Sequence, residues 1–312
     1  MPAQTALQIC ETDASTSAHI RTFMAACSFE ATRPDARDVV ALKQYLNPGD
    51  QIYISATPHR SVAESVEYAR AIRAAGLEPV PHIAARRFAS LADCAIVLER
   101  LSSEAGVSTI MLIGGDADRP AGDVTCAQDI IDSGLLTKYG IGAIGLAGYP
   151  EGHPRIGGDE LEGALVTKLA SAQSQGLAVH IVTQFSFDAK PIILWIDWLR
   201  ARGISLPVKV GLAGPTSMST WLSYARRCGV KASASALATR TGLVNHLFKA
   251  MSPDPIISQL AELAAQRKIA DVSAHMFSFG GIAASARWLH GAQTGRFAVE
   301  RDGGFHVNVS VE

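Results

Sequence analysis

The sequence predicts a single (β/α)8 (TIM) barrel, an α/β fold, with extra helices before the last strand and a C-terminal β-hairpin. Three observations predict it. Short apolar runs of strand length alternate with helix-period segments eight times between Cys27 and His290, and eight such units in about 250 residues are what this barrel requires. The rival, a doubly wound sheet, would want a G-x-G-x-x-G after its first strand, and none follows here. No Pro/Gly/Ser linker divides the chain, so residues 1–312 read as one domain.

Taken in order, residues 1–16 have no clear period and read as a loose arm, with a short helix from Ser17 to Ala26. Cys27–Ala31 is the first strand, closed by Pro34; Asp38–Leu46 is a helix stopped by Asn47-Pro48-Gly49. Gln51–Ala56 is a strand running into Thr57-Pro58-His59. Ser61 and Glu64 have the spacing of a capping box, and Val62, Val66, Ala69 and Ile72 recur at helical spacing. Glu78–Ala84, Thr109–Ile113, Ala143–Ala147, Ala178–Thr183, Pro207–Leu212 and Asp271–Phe277 supply the remaining strands. Helices read over Ser90–Ala105, Cys126–Leu136, Asp159–Gln173, Pro191–Arg202, Thr216–Arg227 and Ile282–His290, with further helical material in Ser235–Arg267. Phe297–Val311 alternates about Asp302-Gly303-Gly304, the pattern of an appended hairpin.

Composition excludes several classes. The formal net charge of -1 leaves no electrostatic footprint for nucleic acid. No apolar segment reaches the roughly 18 residues of a membrane span, and the first residues lack the pattern of a signal peptide. Five scattered cysteines without a C-x-x-C fit a reducing cytoplasm, with no disulfide framework or structural zinc.

The stretch Ala143–Pro154, A-I-G-L-A-G-Y-P-E-G-H-P, carries the most chemistry. A buried strand ends in a turn that Pro150, Gly152 and Pro154 make rigid, and it delivers Tyr149 and His153 at its C-terminal end. In a barrel every strand delivers its last residues to the same mouth. These are Glu30, Thr57 and His59, His82, Asp116, Tyr149 and His153, Gln184 and His275. Each has a plainer reading beside the functional one. Glu30 is a solvated or salt-bridged strand end, or a carboxyl whose pKa burial raises into the range of a general acid. Asp116 is a turn residue, or a carboxylate beside a ring nitrogen. His82, His153 and His275 lack the close spacing of paired metal ligands and read first as hydrogen-bonding groups. Tyr149 packs or stacks on a flat ligand. Lys168 on its helix is by default a surface charge, mid-strand His180 is structural, and Trp195, Trp198 and Trp221 pack helices on the barrel.

In order along the chain, Ser28-Phe29-Glu30, Gly114-Gly115-Asp116, Ala147–Pro154 and Val182-Thr183-Gln184-Phe185-Ser186-Phe187 resemble the motifs of the methylenetetrahydrofolate reductases. The resemblance runs from about Ser28 to Phe279. It implies a TIM barrel holding FAD at its mouth, NADH or NADPH as hydride donor, and a folate substrate in the one-carbon metabolism that feeds methionine biosynthesis. Glu30 matches the family's general acid and Asp116 the carboxylate beside flavin and pterin. Gln184 matches the pterin ligand. Thr57, His82, Tyr149, His153 and Lys168 match flavin contacts. The sequence departs from the family at Gly114, where an arginine is usual, at Pro58-His59, and in the eighth strand. Three alternatives stay open: a folate reductase without flavin, a metal-dependent lyase or hydrolase using His82, His153, His275 and Asp116, and a non-catalytic folate binder. The choice of nicotinamide, the direction of reaction and the oligomeric state, a homo-oligomer included, are not legible.

Overall fold

The computed structural model describes residues 2–57, 61–228, 250–267, 271–300 and 304–308. Its centre is a closed parallel barrel. The strands are β1 (Ser28–Ala31), β2 (Gln51–Ile54), β3 (Glu78–Ala84), β4 (Thr109–Ile113), β5 (Ala143–Gly148), β6 (Ala178–Thr183), β7 (Val208–Ala213) and β8 (Val272–Phe277). Each neighbours the next in sequence, and β1 pairs with β8 to close the ring, Ser28 opposite His275. Several bounds are those that apolar run length predicts, residue for residue in β3, β4 and β6.

Outside the ring lie α2 (Ala36–Tyr45), α3 (Val62–Ala74), α4 (Leu91–Ala105), α5 (Ala127–Asp132), α6 (Leu135–Lys138), α7 (Gly158–Ser174), α8 (Ala189–Ala201), α9 (Met218–Cys228), α10 (Asp254–Arg267) and α11 (Ile282–Thr294). Capping boxes start α2 at Asp35, α3 at Ser61 and α4 at Ser90, each contributing about 1 kcal/mol to its helix. β9 (Phe297–Val299) and β10 (Phe305–Val307) form the expected antiparallel hairpin, which buries Phe305 and Val307.

Three places differ from expectation, the first being Thr216–Ser217 and Ala250–Met251, expected as helix but paired as a short antiparallel sheet. The N-terminal stretch read as a loose arm belongs to α1 (Pro2–Ala25). Its last turns bury the apolar residues Ile20, Phe23 and Met24, and the helix packs against α10, α11 and β8. A helix nucleated there extends at little further cost. The single helix expected over Cys126–Leu136 breaks at Ser133-Gly134 into α5 and α6. Pro58-His59, residues 235–249 of the expected helical stretch and the hairpin turn at Asp302-Gly303 lie outside the described residues.

Strand alternation sorts the core into two parts. Phe29, Ile52, Leu112, Leu146 and Leu212 face the helices and join one large cluster. Tyr53, Val80, Met111 and Val182 form a separate cluster in the lumen. Gly145 belongs to this inner layer: a Cβ there would lie 2.7 Å from His180 Nε2 and 2.8 Å from Met111 Sδ. The lumen is thus filled by side chains that need a neighbour without one. Gly145→Ala should cost about 1–3 kcal/mol by overpacking, read as a lower urea midpoint. An unchanged midpoint would mean that His180 and Met111 can move aside.

Candidate active site

Glu30 is the penultimate residue of β1, its side chain turned inward and 11% exposed. Ser55 Oγ, just beyond β2, donates to its Oε1 at 2.5 Å. Nε2 of His275, on β8, lies 3.2 Å from Oε2, and Nε2 of His82, on β3, lies 3.5 Å from the same oxygen. Burial pushes the Glu30 pKa up and is the largest single influence. His82 beside it, the bond from His275 and the bond from Ser55 together outweigh burial and bring the pKa down to about 2. Glu30 is therefore a carboxylate at neutral pH, because hydrogen bonds from His275 and Ser55 and the nearby His82 imidazole favour its charged form. Of the two readings the sequence leaves open, the general acid raised by burial has the opposite direction, and the paired strand-end carboxylate has this one.

Below this carboxylate the lumen stays polar. Tyr53 Oη is 2.6 Å from His180 Nε2, and the Tyr53 ring meets His275 edge-on with centroids 4.7 Å apart. Burial, with Lys209 and His275 adding to it, drops the His180 pKa from 6.5 to about 4, so the ring is neutral.

The mouth above Glu30 has two unlike sides. Toward β1–β4 it is charged. Arg87 donates to the carbonyl of Thr57 and lies 3.8 Å from Asp116, and Arg33 Nε donates to Thr57 Oγ1 at 3.4 Å. Arg33 has φ 57, a left-handed conformation unusual outside glycine, in the loop that follows Glu30. Toward β6–β8 the mouth is aromatic. Tyr224 stacks on Phe279 at 3.9 Å, and Phe185 meets Phe277 and Phe279 edge-on. Between the two sides, Tyr149 and His153 meet edge-on at 5.2 Å. Their turn is tied to the β6 loop by Ser186 Oγ donating to Glu151 Oε1 at 2.5 Å. His153 Nδ1 accepts from the Arg155 amide at 3.2 Å, which places the proton of its neutral ring on Nε2.

The family model for methylenetetrahydrofolate reductase matches residues 42–270. The chain belongs to the methylenetetrahydrofolate reductase family. Methylenetetrahydrofolate reductase 2 of Saccharomyces cerevisiae is 30% identical over 129 residues, 39% of this chain and 21% of that protein. Methylenetetrahydrofolate reductase 1 of Schizosaccharomyces pombe is 34% identical over 88 residues, 28% of this chain and 14% of that protein. The matches thus span about a fifth or less of these relatives. Among solved structures, an uncharacterised protein from Clostridium thermocellum that binds two copies of 5-methyl-5,6,7,8-tetrahydrofolic acid shares the fold. It has a TM-score of 0.51 at 10% identity, over 80% of this chain and 88% of that one. The family match begins after β1 and ends before β8, so Glu30 and His275 lie outside the matched residues and meet His82, which lies within them, through closure of the barrel.

Of the residues singled out from sequence, Glu30 and His82 meet directly, and Thr57 and Asp116 meet through Arg87. Tyr149 and His153 pair with each other. Gln184 follows β6, its backbone N–H donating to the Gly148 carbonyl at 2.8 Å and its Oε1 accepting from the Phe185 amide at 3.2 Å. Lys168 is apart from the lumen, three turns along α7, where burial lowers its pKa and its ionisable neighbour is Cys126. His275 is fully buried against Glu30, while His153 bonds within its own turn and the Asp116 side chain is 70% exposed. The four groups of the metal reading therefore do not converge. Ser55 and Arg87 carried no motif, and their parts in the site depend on side-chain reach across strands.

A buried neutral imidazole makes stability depend on pH. The folded His180 pKa of about 4 lies below the ordinary 6.5, so the unfolded state takes up the proton first. His180's contribution is complete above pH 6.5 and is lost as pH falls to about 4, by roughly 3 kcal/mol at most. His180→Gln should weaken this loss in urea titrations at neutral pH and at about pH 5. An identical acid loss in the variant would locate the titration elsewhere.

Proposed function

We propose that this chain interconverts methylenetetrahydrofolate and methyltetrahydrofolate by hydride transfer, with NADH or NADPH as donor and FAD as carrier at the barrel mouth. The observation that carries the reading is the Glu30 carboxylate at the top of the lumen, beneath a mouth with one charged and one aromatic side. Family membership supports the reductase class. A flat, partly charged ligand suits such a mouth, with rings against the aromatic side and anionic groups toward the arginines.

The residues fit a flavin dinucleotide. Arg33, Arg87 and Arg155 offer cationic groups for a pyrophosphate, and the Tyr149–His153 pair offers ring faces and an Nε2–H donor. The position where the family has an arginine is Gly114 here. Arg87, reaching Asp116 from the end of β3, supports a guanidinium serving the same neighbourhood. When bound, FAD supplies a two-electron carrier between nicotinamide and folate.

The chain's residues then have the following work. Gln184 presents an amide that can both donate to and accept from the pterin edge. Asp116 orients the ring nitrogens. Opening the folate's five-membered ring needs a proton on the departing nitrogen and leaves a cationic iminium, which the hydride converts to the methyl group. Glu30 serves both demands. Its carboxylate stabilises the cation, and its acid form, favoured once a ligand covers the mouth and excludes water, supplies the proton.

The purified protein should be yellow, bleached by NADH or NADPH and restored by methylenetetrahydrofolate. Glu30→Gln should leave bleaching by the nicotinamide roughly unchanged and slow the folate step by about 10²–10⁴-fold. Equal loss of both half-reactions would reduce Glu30 to a structural role. A colourless protein that oxidises the nicotinamide only when folate is present would transfer the assignment to direct hydride transfer.

A further inference from the structure

His275 has no role in the reaction as proposed, yet it is fully buried and has a partner on each ring nitrogen. Its Nδ1 lies 2.8 Å from Ser28 Oγ, and its Nε2 lies 3.2 Å from Glu30 Oε2. Both partners belong to β1, two residues apart and therefore on the same face of the strand. A carboxylate can only accept, so Nε2 must carry a hydrogen. Burial disfavours the charged ring and lowers the His275 pKa against the pull of Glu30. A neutral ring has one hydrogen, so Nδ1 accepts and the Ser28 hydroxyl donates. Ser28, itself 1% exposed, thereby selects the tautomer that points N–H at Glu30.

We infer that His275, held by Ser28, is a positioning residue for Glu30: it fixes the carboxylate's place at the top of the lumen and sets the pH at which Glu30 takes up the proton it delivers. The other groups facing this pair are His82 on β3, Tyr53 on β2 with Ser55 beyond it, His180 on β6 against Tyr53, and Lys209 on β7 toward His275. Of these, Ser55 holds Oε1, and His275 is the group whose ring nitrogen lies nearest Oε2. The pair exists only because β8 closes on β1, which puts Ser28 directly opposite His275. The catalytic part of this inference rests on the reductase reading; the protonation part does not.

The test is an infrared titration of the Glu30 carboxylate in the full chain, taken as the wild-type spectrum minus that of Glu30→Gln. In wild type the ionised band should persist down to acid unfolding. In His275→Leu the protonation midpoint should rise by about 1–3 units, and His275→Gln, which keeps an N–H donor, should bring it back toward wild type. Ser28→Ala should raise it by less, and it keeps the inference testable should His275→Leu not fold. The alkaline limb of kcat/KM for folate should move up in pH with the same midpoint, a change that loss of packing alone would not produce. A midpoint unmoved in a folded His275→Leu, or in Ser28→Ala where His275→Leu does not fold, overturns the inference. Movement of the infrared midpoint without any folate turnover would leave the positioning role standing and remove the reductase assignment.

Discussion

A carboxylate inside a protein must be given partners, since leaving it unpaired costs several kcal/mol or forces it to take a proton. Glu30 is in that position, and much of the lumen's arrangement answers to it. One oxygen receives a hydroxyl from the strand on one side, and the other faces imidazoles from β8 and β3. His275 lies 245 residues from Glu30 in the chain. Only closure of the ring brings it there, so the fold's least local pairing creates the site's most buried contact.

Polarity continues downward from this point. Tyr53 turns its ring to His275 and its hydroxyl to His180, and Gly145 leaves room for that imidazole. Such a lumen trades some hydrophobic packing for hydrogen bonds from Tyr53 to His180, from His275 to Ser28 and Glu30, and from Ser55 to Glu30. The mouth above continues the division of labour. Its arginines anchor the loops after β1, β2 and β3 on one another, and its aromatic side is built from residues at the ends of β6 and β8 and from α9. A ligand bridging the two would place its centre over Glu30.

Much of the scaffold was legible in the residues. Apolar run length marked the eight strands, and Ser61 with Glu64 announced a helix start that the structure closes as a capping box. The N-terminal part of α1 was not legible because residues 1–16 show no clear helical period, whereas Ile20, Phe23 and Met24 are buried in the same helix. The candidate site was half visible. Strand-end position put Glu30, His82 and His275 at one mouth, where they lie against one another, whereas Lys168, given only by the family resemblance, lies three turns along α7. The direction of the Glu30 shift could not be read from burial, because it depends on how many donors arrive from other strands. Arg87 was invisible for a related reason: the reach of a long side chain between Thr57 and Asp116 leaves no trace in spacing.

In the proposed reaction the folate reacts directly over the floor of the mouth formed by Glu30 and its imidazoles. A crystal structure of the chain with methyltetrahydrofolate bound tests it most directly. The account predicts the pterin in the mouth between the arginine and aromatic sides, with its reacting edge within hydrogen-bonding reach of Glu30. A folate bound outside the mouth, or with that edge turned away from Glu30, would contradict it.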